Sequence, residues 1–184
     1  EEFYPLQLKY VLNKEPSGQN KPADWGARIR LASQEDIPAW MDLVRLVVDG
    51  FPCFDEKQYI EQIKKYIRRG CGLILTDGEL AIGVMAFIPE TGSIDFLGVH
   101  PQYRKKGIAR AFLKLAFSLL ENGQEISATT FREGDKADPG YRNIFKKIGF
   151  GERELLVEFG YPTQRFVLEK RAFVSMEQED GKNE

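Results

Sequence analysis

The sequence predicts one mixed α/β (α+β) domain in which strands and helices alternate along the chain. Segments with period-two hydrophobicity alternate with segments whose apolar residues recur every three or four positions, and no internal repeat appears. The chain has 184 residues, which is enough for one full domain with extensions but too few for two of ordinary size. Apolar residues make up 42% of the chain and charged residues 29%, which excludes wholesale disorder.

Composition disfavours several classes of function. The net charge of −2 argues against a globally basic protein that binds nucleic acid or a membrane surface. No apolar run approaches the roughly 20 residues that cross a bilayer. Cys53 and Cys71 are far apart and form no CxxC motif, so we expect neither a disulfide framework nor a metal site. These features favour a cytoplasmic location.

Residues 1–26 are interpreted as an N-terminal extension. Apolar residues in its first half alternate with polar ones, which predicts a strand with one buried face, at Leu6, Leu8, Tyr10 and Leu12. Residues 16–22 are rich in residues that break regular structure. We expect the extension to dock on its own domain, and its reach also permits exchange between the protomers of a homodimer.

The next segments predict a short strand and two helices. Residues 28–31 form the strand, Ser33 caps the first helix, Asp55 caps the second, and Gly70 ends it. Each helix has an apolar face with helical spacing, formed by Ile37, Trp40, Val44 and Val47 in the first and by Ile60, Ile63 and Ile67 in the second.

A hairpin, a further strand and a basic turn follow. Residues 73–76 and 80–88 predict the hairpin, and residues 94–99 predict the strand. A cationic turn then leads to Gly107, where an amphipathic helix begins. Free N–H groups and the helix dipole at such a start favour an anion by ~0.3–2 kcal/mol per charge. Gly107 lets a phosphate approach the backbone without a Cβ in the way.

Two interpretations of the turn remain open from these features alone: a phosphate-binding loop, or a solvated basic loop that caps an ordinary helix. The chain lacks the GxxxxGK(S/T) motif, and Gly70-Cys-Gly72 follows a helix and has no third glycine. Nucleoside triphosphate and dinucleotide chemistry are therefore disfavoured.

The turn resembles the pyrophosphate loop of the GNAT (Gcn5-related N-acetyltransferase) superfamily. Arg104-Lys-Lys-Gly107-Ile-Ala109 matches the family pattern (Q/R)-x-x-G-x-(G/A), and Leu97-Gly-Val99 precedes it as the acyl-CoA strand does in the family. Residues 30–38 resemble the family's opening strand and helix. Residues 144–150 resemble its later L-Y-x-K-x-G-F segment.

The resemblance implies an acetyltransferase domain over residues 27–171, with residues 172–184 as an expected disordered tail. The family fold is a mixed, mostly antiparallel sheet whose fourth and fifth strands splay apart, with acetyl-CoA in the splay and no metal. The residues implied to hold pantetheine on the fourth strand are Leu97, Gly98 and Val99. Those implied at the pyrophosphate are Arg104, Lys105, Lys106, Gly107, Ile108, Ala109 and Arg110. An N–H group near Val99 would also stabilise the oxyanion.

The resemblance further implies direct attack of an amine on the thioester, for which two carboxylates are candidate bases. Asp95 is the first choice, because relatives place catalytic side chains at or near this position and because Asp inside a strand needs an explanation. Glu133, just after the fifth strand predicted over residues 125–132, is the second. The alternative for each is an ordinary solvated or hydrogen-bonded carboxylate.

The acid is harder to assign. Many relatives have a tyrosine where this chain has Phe145, which cannot donate a proton. Tyr141 lies one helical turn earlier and could present its hydroxyl from the same face; the alternative is that it only packs. Asp138 stands where relatives often have asparagine, and we place it with Phe145 among the cofactor-binding residues. Without an acid, the CoA thiolate leaves unprotonated, since a thiol pKa near ~8.5 makes it a tolerable leaving group.

The acceptor is expected to be a small-molecule amine or a peptide amine bound between the first two helices and the last strands. Aromatic and acidic side chains there would attract a cation, namely Phe51, Cys53, Phe54, Asp55, Glu56, Glu158, Phe159 and Tyr161. Two alternative functions remain. A non-catalytic acyl-CoA-binding or sensing domain is favoured by Phe145, and a basic-loop nucleic-acid binder is disfavoured by the net charge of −2.

Deleting residues 1–15 should lower the melting temperature and increase aggregation. The reason is that exposing the apolar strip of the extension, or the surface it covers, costs ~25 cal/mol per Å². Calorimetric melting and size-exclusion chromatography measure both effects, while the affinity for CoA should stay unchanged. A truncated chain that melts and elutes like the full chain would show that the extension is a disordered tail.

Overall fold

A seven-stranded sheet organises the protein. The computed structural model describes residues 24–48 and 54–181, so the strand predicted over residues 6–12 lies outside the described part. The strand order is β1-β2-β3-β4-β5-β7-β6. The strands are β1 Arg30–Leu31, β2 Gly72–Asp77, β3 Leu80–Ile88, β4 Ser93–Val99, β5 Glu125–Phe131, β6 Gly151–Glu158 and β7 Tyr161–Glu169. Neighbouring strands are antiparallel except for the parallel pair β4 and β5, which confirms the predicted mixed sheet.

Six α-helices flank the sheet within the described residues. They are α1 Trp25–Arg28, α2 Ile37–Val47, α3 Glu56–Arg68, α4 Ile108–Leu119, α5 Tyr141–Ile148 and α6 Lys170–Asp180. The predicted caps are present. Ser33 and Asp36 form a capping box before α2, and the Asp55 carboxylate accepts from the N–H groups of Lys57 and Gln58 at 3.0 and 3.1 Å.

The two faces of the sheet bury separate hydrophobic clusters, because successive strand residues point to opposite sides. Trp40 of α2 and Ile63 of α3 pack on one face with Ile74 and Val84. The larger cluster on the other face combines side chains of α4 and α6 with Leu73, Leu75, Met85, Phe166 and their neighbours. Both faces are therefore covered, and ligand access depends on the edges and gaps of the sheet.

The strands β4 and β5 diverge, leaving a gap in the sheet. Their pairing is limited to Ser93 opposite Ser127, near the start of both strands. A bulge in β4 lies just beyond this bridge: Phe96 faces Ala86 and Ile94 faces Phe87, so Asp95 is the extra residue. A bulge increases local twist and bends the strand that contains it, which accounts for the divergence.

The C-terminal segment differs from the expected disordered tail. Residues 170–180 form α6, which lies antiparallel to α4: Phe173 is buried with its ring 5.3 Å from that of Phe117, and Asp180 pairs with Arg110. Met176 packs so closely that a Cβ on Gly149 would lie 2.8 Å from its sulfur. The apolar face of α6 is short, which explains why periodicity alone does not reveal this helix.

Replacing Phe173 by alanine should lower the free energy of unfolding by about 3 kcal/mol, because it removes a buried ring and leaves a cavity. Val174→Ala is the matched control, since Val174 follows in the same helix but is 44% exposed and should change stability by less than about 0.5 kcal/mol. Urea unfolding measures both. Equal effects of the two variants would show that α6 does not dock through Phe173.

Candidate functional site

The backbone of β4 presents unpaired groups to the gap. The N–H of His100 donates to the carbonyl of Ile82 in β3, at 2.9 Å. Hydrogen-bonding direction alternates along an antiparallel strand, so Gly98 also faces β3 while the N–H and C=O groups of Leu97 and Val99 point away from it. In the described part of the chain, β5 does not pair with β4 at Leu97 or Val99. Leu97 and Val99 can therefore bond an extended ligand as a further strand would.

Gly98 has a different role from its two predicted partners. Its backbone belongs to the β3 ladder, and a Cβ at this position would lie 3.0 Å from the ring of Phe96 and 3.4 Å from Val47. The missing side chain thus permits the close packing of α2 on β4. Of the three residues expected to offer backbone groups to pantetheine, only Leu97 and Val99 have groups that face the gap.

The basic turn that follows β4 forms a concave row of N–H groups. Lys105 and Gly107 have left-handed backbone conformations, with φ of 61° and 83°. The first helical bond of α4 runs from the N–H of Ala111 to the carbonyl of Gly107. The N–H groups of residues 105–110 have no hydrogen-bond acceptor within the described ranges. Successive N–H groups of this kind at a helix start bind anions.

Two side chains from elsewhere in the fold hold this turn in place. The indole Nε1 of Trp25 donates to the carbonyl of Lys106 at 2.8 Å. The hydroxyl of Tyr103 donates to the carboxylate of Asp77 at 2.7 Å, and the ammonium of Lys106 lies 5.2 Å from the Tyr103 ring centre. The contribution of Trp25 is not predictable from the motif, because 81 residues separate it from Lys106.

The four cations of the turn are not equivalent. Arg104, Lys105 and Lys106 are exposed and form no ion pair among the described residues, so their charge is available to a ligand. Arg110 instead pairs with Asp180 of α6. Its predicted contact with pyrophosphate therefore requires that this ion pair be shared or broken.

Tyr141 bridges the open end of the gap. It begins α5, its ring centre lies 6.3 Å from that of Phe131 at the end of β5, and its hydroxyl donates to the carbonyl of Val47 at 2.5 Å. Burial raises the pKa of Tyr141, and the nearby guanidinium of Arg104 opposes part of that rise. The phenol is therefore protonated at neutral pH, as a proton donor must be.

The other two residues predicted on this segment have structural contacts. The Asp138 carboxylate accepts from the N–H groups of Gly140 and Tyr141 at 2.9 and 2.7 Å, so it caps α5 and positions Tyr141. Phe145 packs against the rings of Phe150 and Phe166, at 5.0 and 5.6 Å between ring centres. The described contacts give both residues a supporting role: Asp138 positions Tyr141, and Phe145 packs against the hydrophobic core.

Arg142 fixes the β5 side of the gap, although no motif in the sequence marks it as a functional residue. This buried guanidinium donates to the carbonyl of Phe131 at 2.9 Å and to Oε1 of Gln164 at 2.6 Å, and it pairs with Glu152. A buried, multiply bonded arginine holds its partners in fixed geometry, and removing one partner is costly. The end of β5 is thereby tied to α5 and β7.

Asp95 is exposed and held by two hydroxyls. Its Oδ2 accepts from the Tyr66 hydroxyl at 2.7 Å and its Oδ1 accepts from the Ser93 hydroxyl at 2.8 Å. Burial, followed by the bond to Asp95, raises the pKa of Tyr66. The partnership with Tyr66 joins α3 to the bulge of β4 and could not be read from the sequence. Asp95 and Tyr66 line a surface cavity of about 350 Å³.

The structure does not bring the three predicted catalytic side chains together. Asp95 lies two residues beyond the Ser93–Ser127 bridge, whereas Glu133 lies six residues beyond it. Glu133 is thus four positions further along than Asp95, which corresponds to ~13 Å of strand length, and it lies in a turn beyond the end of β5. Glu133 is in an exposed turn and has no bonding partner among the described residues. Asp95 marks the closed end of the gap, and Tyr141 its open end.

Much of the predicted acceptor region is committed to structural contacts. Asp55 caps α3, Glu56 pairs with Arg45 at 2.5 Å, and Glu158 accepts from the Thr129 hydroxyl at 2.7 Å. The guanidinium of Arg45 lowers the pKa of Glu56. Phe51 and Cys53 lie outside the described residues. The carboxylates predicted to attract a cationic acceptor are thus already paired or bonded.

Residues 24–48 and 54–181 contain neither a candidate metal site nor a candidate membrane span. No group of three or more His, Cys, Asp or Glu side chains is arranged to hold a metal ion. No helix in these ranges is long and apolar enough to cross a membrane.

Several solved structures share this fold at low sequence identity. The yncA protein of Salmonella typhimurium, solved with its cofactor acetyl-CoA, is 15% identical, with 77% of this chain and 92% of that chain covered and a TM-score of 0.55. A ribosomal-protein-alanine N-acetyltransferase of Brucella melitensis is 16% identical, with 77% and 98% covered and a TM-score of 0.56. A spermidine N-acetyltransferase chimera of Vibrio cholerae SpeG and hSSAT is 18% identical, with 80% and 98% covered and a TM-score of 0.54. These similarities show the fold.

The sequence itself matches one described family. No curated protein matches the sequence of this chain. The model of the acetyltransferase (GNAT) family matches residues 40–150, which include the gap between β4 and β5 and the basic turn. Since this match covers more than half of the chain, the protein belongs to the acetyltransferase (GNAT) family.

Proposed function

We propose that this protein transfers the acetyl group of acetyl-CoA to an amine acceptor by direct attack. The observation that carries the proposal is the presence of two neighbouring sets of unpaired backbone groups, those of Leu97 and Val99 in the gap and the N–H row of residues 105–110. An extended chain ending in a pyrophosphate would satisfy both parts at once. Family membership supports the same conclusion.

The residues present fit the CoA phosphates. A Cβ placed on Gly107 would meet no atom within 4 Å, so there is open space above the N–H row. Arg104, Lys105 and Lys106 supply positive charge around that space. Charge-assisted hydrogen bonds of this kind are about twice as strong as neutral ones.

Bound acetyl-CoA would supply the acetyl group as a thioester. An N–H of β4 that faces the gap, at Leu97 or Val99, would donate to the oxyanion that develops on the carbonyl oxygen. Asp95 would take the proton of the attacking amine, directly or through water, since each of its oxygens can accept a further bond. The new C–N bond would form as the C–S bond breaks. The departing thiolate would leave as such, or would take the proton of Tyr141 if it reaches the open end of the gap.

The assignment of Asp95 over Glu133 rests on position. Asp95 is oriented by Ser93 and Tyr66 at the bulge, whereas Glu133 has no orienting contact within the described part of the chain. Tyr141 is the candidate acid because its phenol is protonated and bridges the mouth of the gap. To act, its hydroxyl must release the carbonyl of Val47.

The alternative is a domain that binds acyl-CoA without turnover. Two observations favour it: Phe145 cannot donate a proton, and the Tyr141 hydroxyl is already bonded to Val47. CoA release with a panel of amines, measured beside CoA affinity, separates the two functions. Tight binding without release would identify the sensor.

The acceptor class spans small and peptide amines, as the spermidine and ribosomal-protein enzymes of this fold illustrate. We also propose a cytoplasmic location, on the basis of cysteine usage and the absence of any disulfide framework in the sequence. A homodimer is compatible with the N-terminal extension.

Replacing Gly107 by glutamate should weaken CoA binding by at least about 100-fold, because it adds bulk and negative charge where the phosphates bind. Gly123→Glu is the matched control. Gly123 also has a positive φ, of 90°, and open space around its Cα, but it lies beyond the other end of α4. Calorimetric titration of CoA measures both variants. Unchanged affinity in a folded Gly107→Glu variant contradicts the assignment of the loop.

Replacing Asp95 by asparagine should lower kcat/KM by about 100-fold, because general-base assistance is lost, while CoA affinity stays close to that of the wild type. If Asp95→Asn keeps full activity and Glu133→Gln is slow, the base is on the β5 side. If neither substitution matters, the amine arrives already neutral.

A further inference from the structure

The cavity beside Asp95 has an unusual distribution of charge. Its wall is one side of α3, whose residues at three- and four-residue spacing face it, together with Asp95 at the bulge of β4. Three of the lining side chains are cationic: Lys65, Arg68 and Arg69. The chain as a whole carries a net charge of −2, so this concentration of positive charge is local.

Two of the three cations are unpaired. Lys65 and Arg68 form no ion pair among the described residues, whereas Arg69 is in a long ion pair with Glu90, at 3.9 Å. Neighbouring Lys64 differs, because it pairs with Glu61 at 2.9 Å. The cavity thus combines unpaired positive charge with one oriented carboxylate, Asp95.

We propose that the acceptor is a small amine that also carries an anionic group, a carboxylate or a phosphate. This inference rests on the proposed acetyl transfer. The anionic group binds Lys65, Arg68 and Arg69, and the amine lies at Asp95, which takes its proton. A polycation such as a polyamine is disfavoured, because three cations repel it and a single carboxylate attracts it.

The fold supports an acceptor whose anionic group and amine bind at opposite ends of the cavity. Tyr66 lies on α3 among the cations and donates to Asp95 at 2.7 Å, so the helix that carries the positive charge also orients the carboxylate. The carboxylates predicted to attract a cationic acceptor elsewhere, Asp55 and Glu56, are engaged as a cap and in an ion pair. The charge that remains unpaired on this helix is therefore complementary to an anion.

The test compares pairs of similar amines with and without an anionic group, each at a pH series so that the fraction of neutral amine can be matched. Glycine against glycinamide probes a carboxylate, O-phosphoethanolamine against ethanolamine probes a phosphate, and spermidine probes a cation. The release of CoA thiol gives kcat/KM for each. We expect at least one anionic member to exceed its neutral partner by about tenfold or more, and the two pairs show which anion is used.

The variants assign that preference to the cavity. In the double variant Lys65→Gln/Arg68→Gln, the anionic and neutral amines should have similar kcat/KM values. The change should be a higher KM for the anionic amine, and the affinity for CoA should be unchanged. Lys64→Gln, which changes a paired lysine of the same helix, should retain the preference. The inference is overturned if neutral amines or spermidine are preferred, or if the preference survives in the double variant.

Direct binding separates this inference from the proposed reaction. The same amines are titrated calorimetrically into the CoA-loaded protein. An anionic amine that binds through Lys65 and Arg68 without product formation would support the cavity and overturn acetyl transfer. Turnover of amines without any anion preference would support transfer and overturn the cavity. If no anionic amine binds or reacts, the cavity assignment is wrong.

Discussion

The arrangement of the site depends on one irregularity in the sheet. An extra residue in β4 bends that strand away from β5 just after their single point of pairing, so the backbone groups of Leu97 and Val99 lack a neighbouring strand. Unpaired backbone groups inside a protein are costly. A strand that leaves such groups unpaired is stable in that form only if solvent or a ligand completes the ladder. Here a second set of unpaired N–H groups, that of the basic turn, follows a few residues later in the chain.

The same irregularity explains why an acidic residue occurs within a strand. Asp95 is the extra residue of the bulge, so it is not required to fill either hydrophobic face, and its side chain meets hydroxyls from Ser93 and Tyr66 instead. The feature that opens the gap thus also supplies an oriented carboxylate beside it. On the far side, Arg142 and the capped start of α5 keep the end of β5 and Tyr141 in register with the gap.

Local chemistry made much of the fold predictable. Caps such as Asp55, the hairpin of β2 and β3 and the helix start at Gly107 depend on neighbours within a few positions, and the sequence predicts each of them. The hairpin turn itself is Gly78-Glu79, one residue later than the Asp77-Gly78 turn that the sequence favours. Contacts across the chain were not predictable, because no local pattern encodes them: the bond of Trp25 to Lys106 and that of Tyr66 to Asp95 are examples. The helix α6 is not marked by a periodic pattern for a related reason: its docking depends mainly on one buried ring, that of Phe173.

The attachment of Trp25 to the basic turn also gives the protein an internal optical reporter. The sequence contains two tryptophans, and the indole of Trp40, on the inner face of α2, is fully buried in the core, where a ligand at the turn does not reach it. The indole of Trp25 is only partly buried and shares a hydrogen bond with the peptide that precedes Gly107. Its emission therefore follows the state of this loop against a constant background from the core, which allows ligand occupancy to be followed in the unlabelled protein.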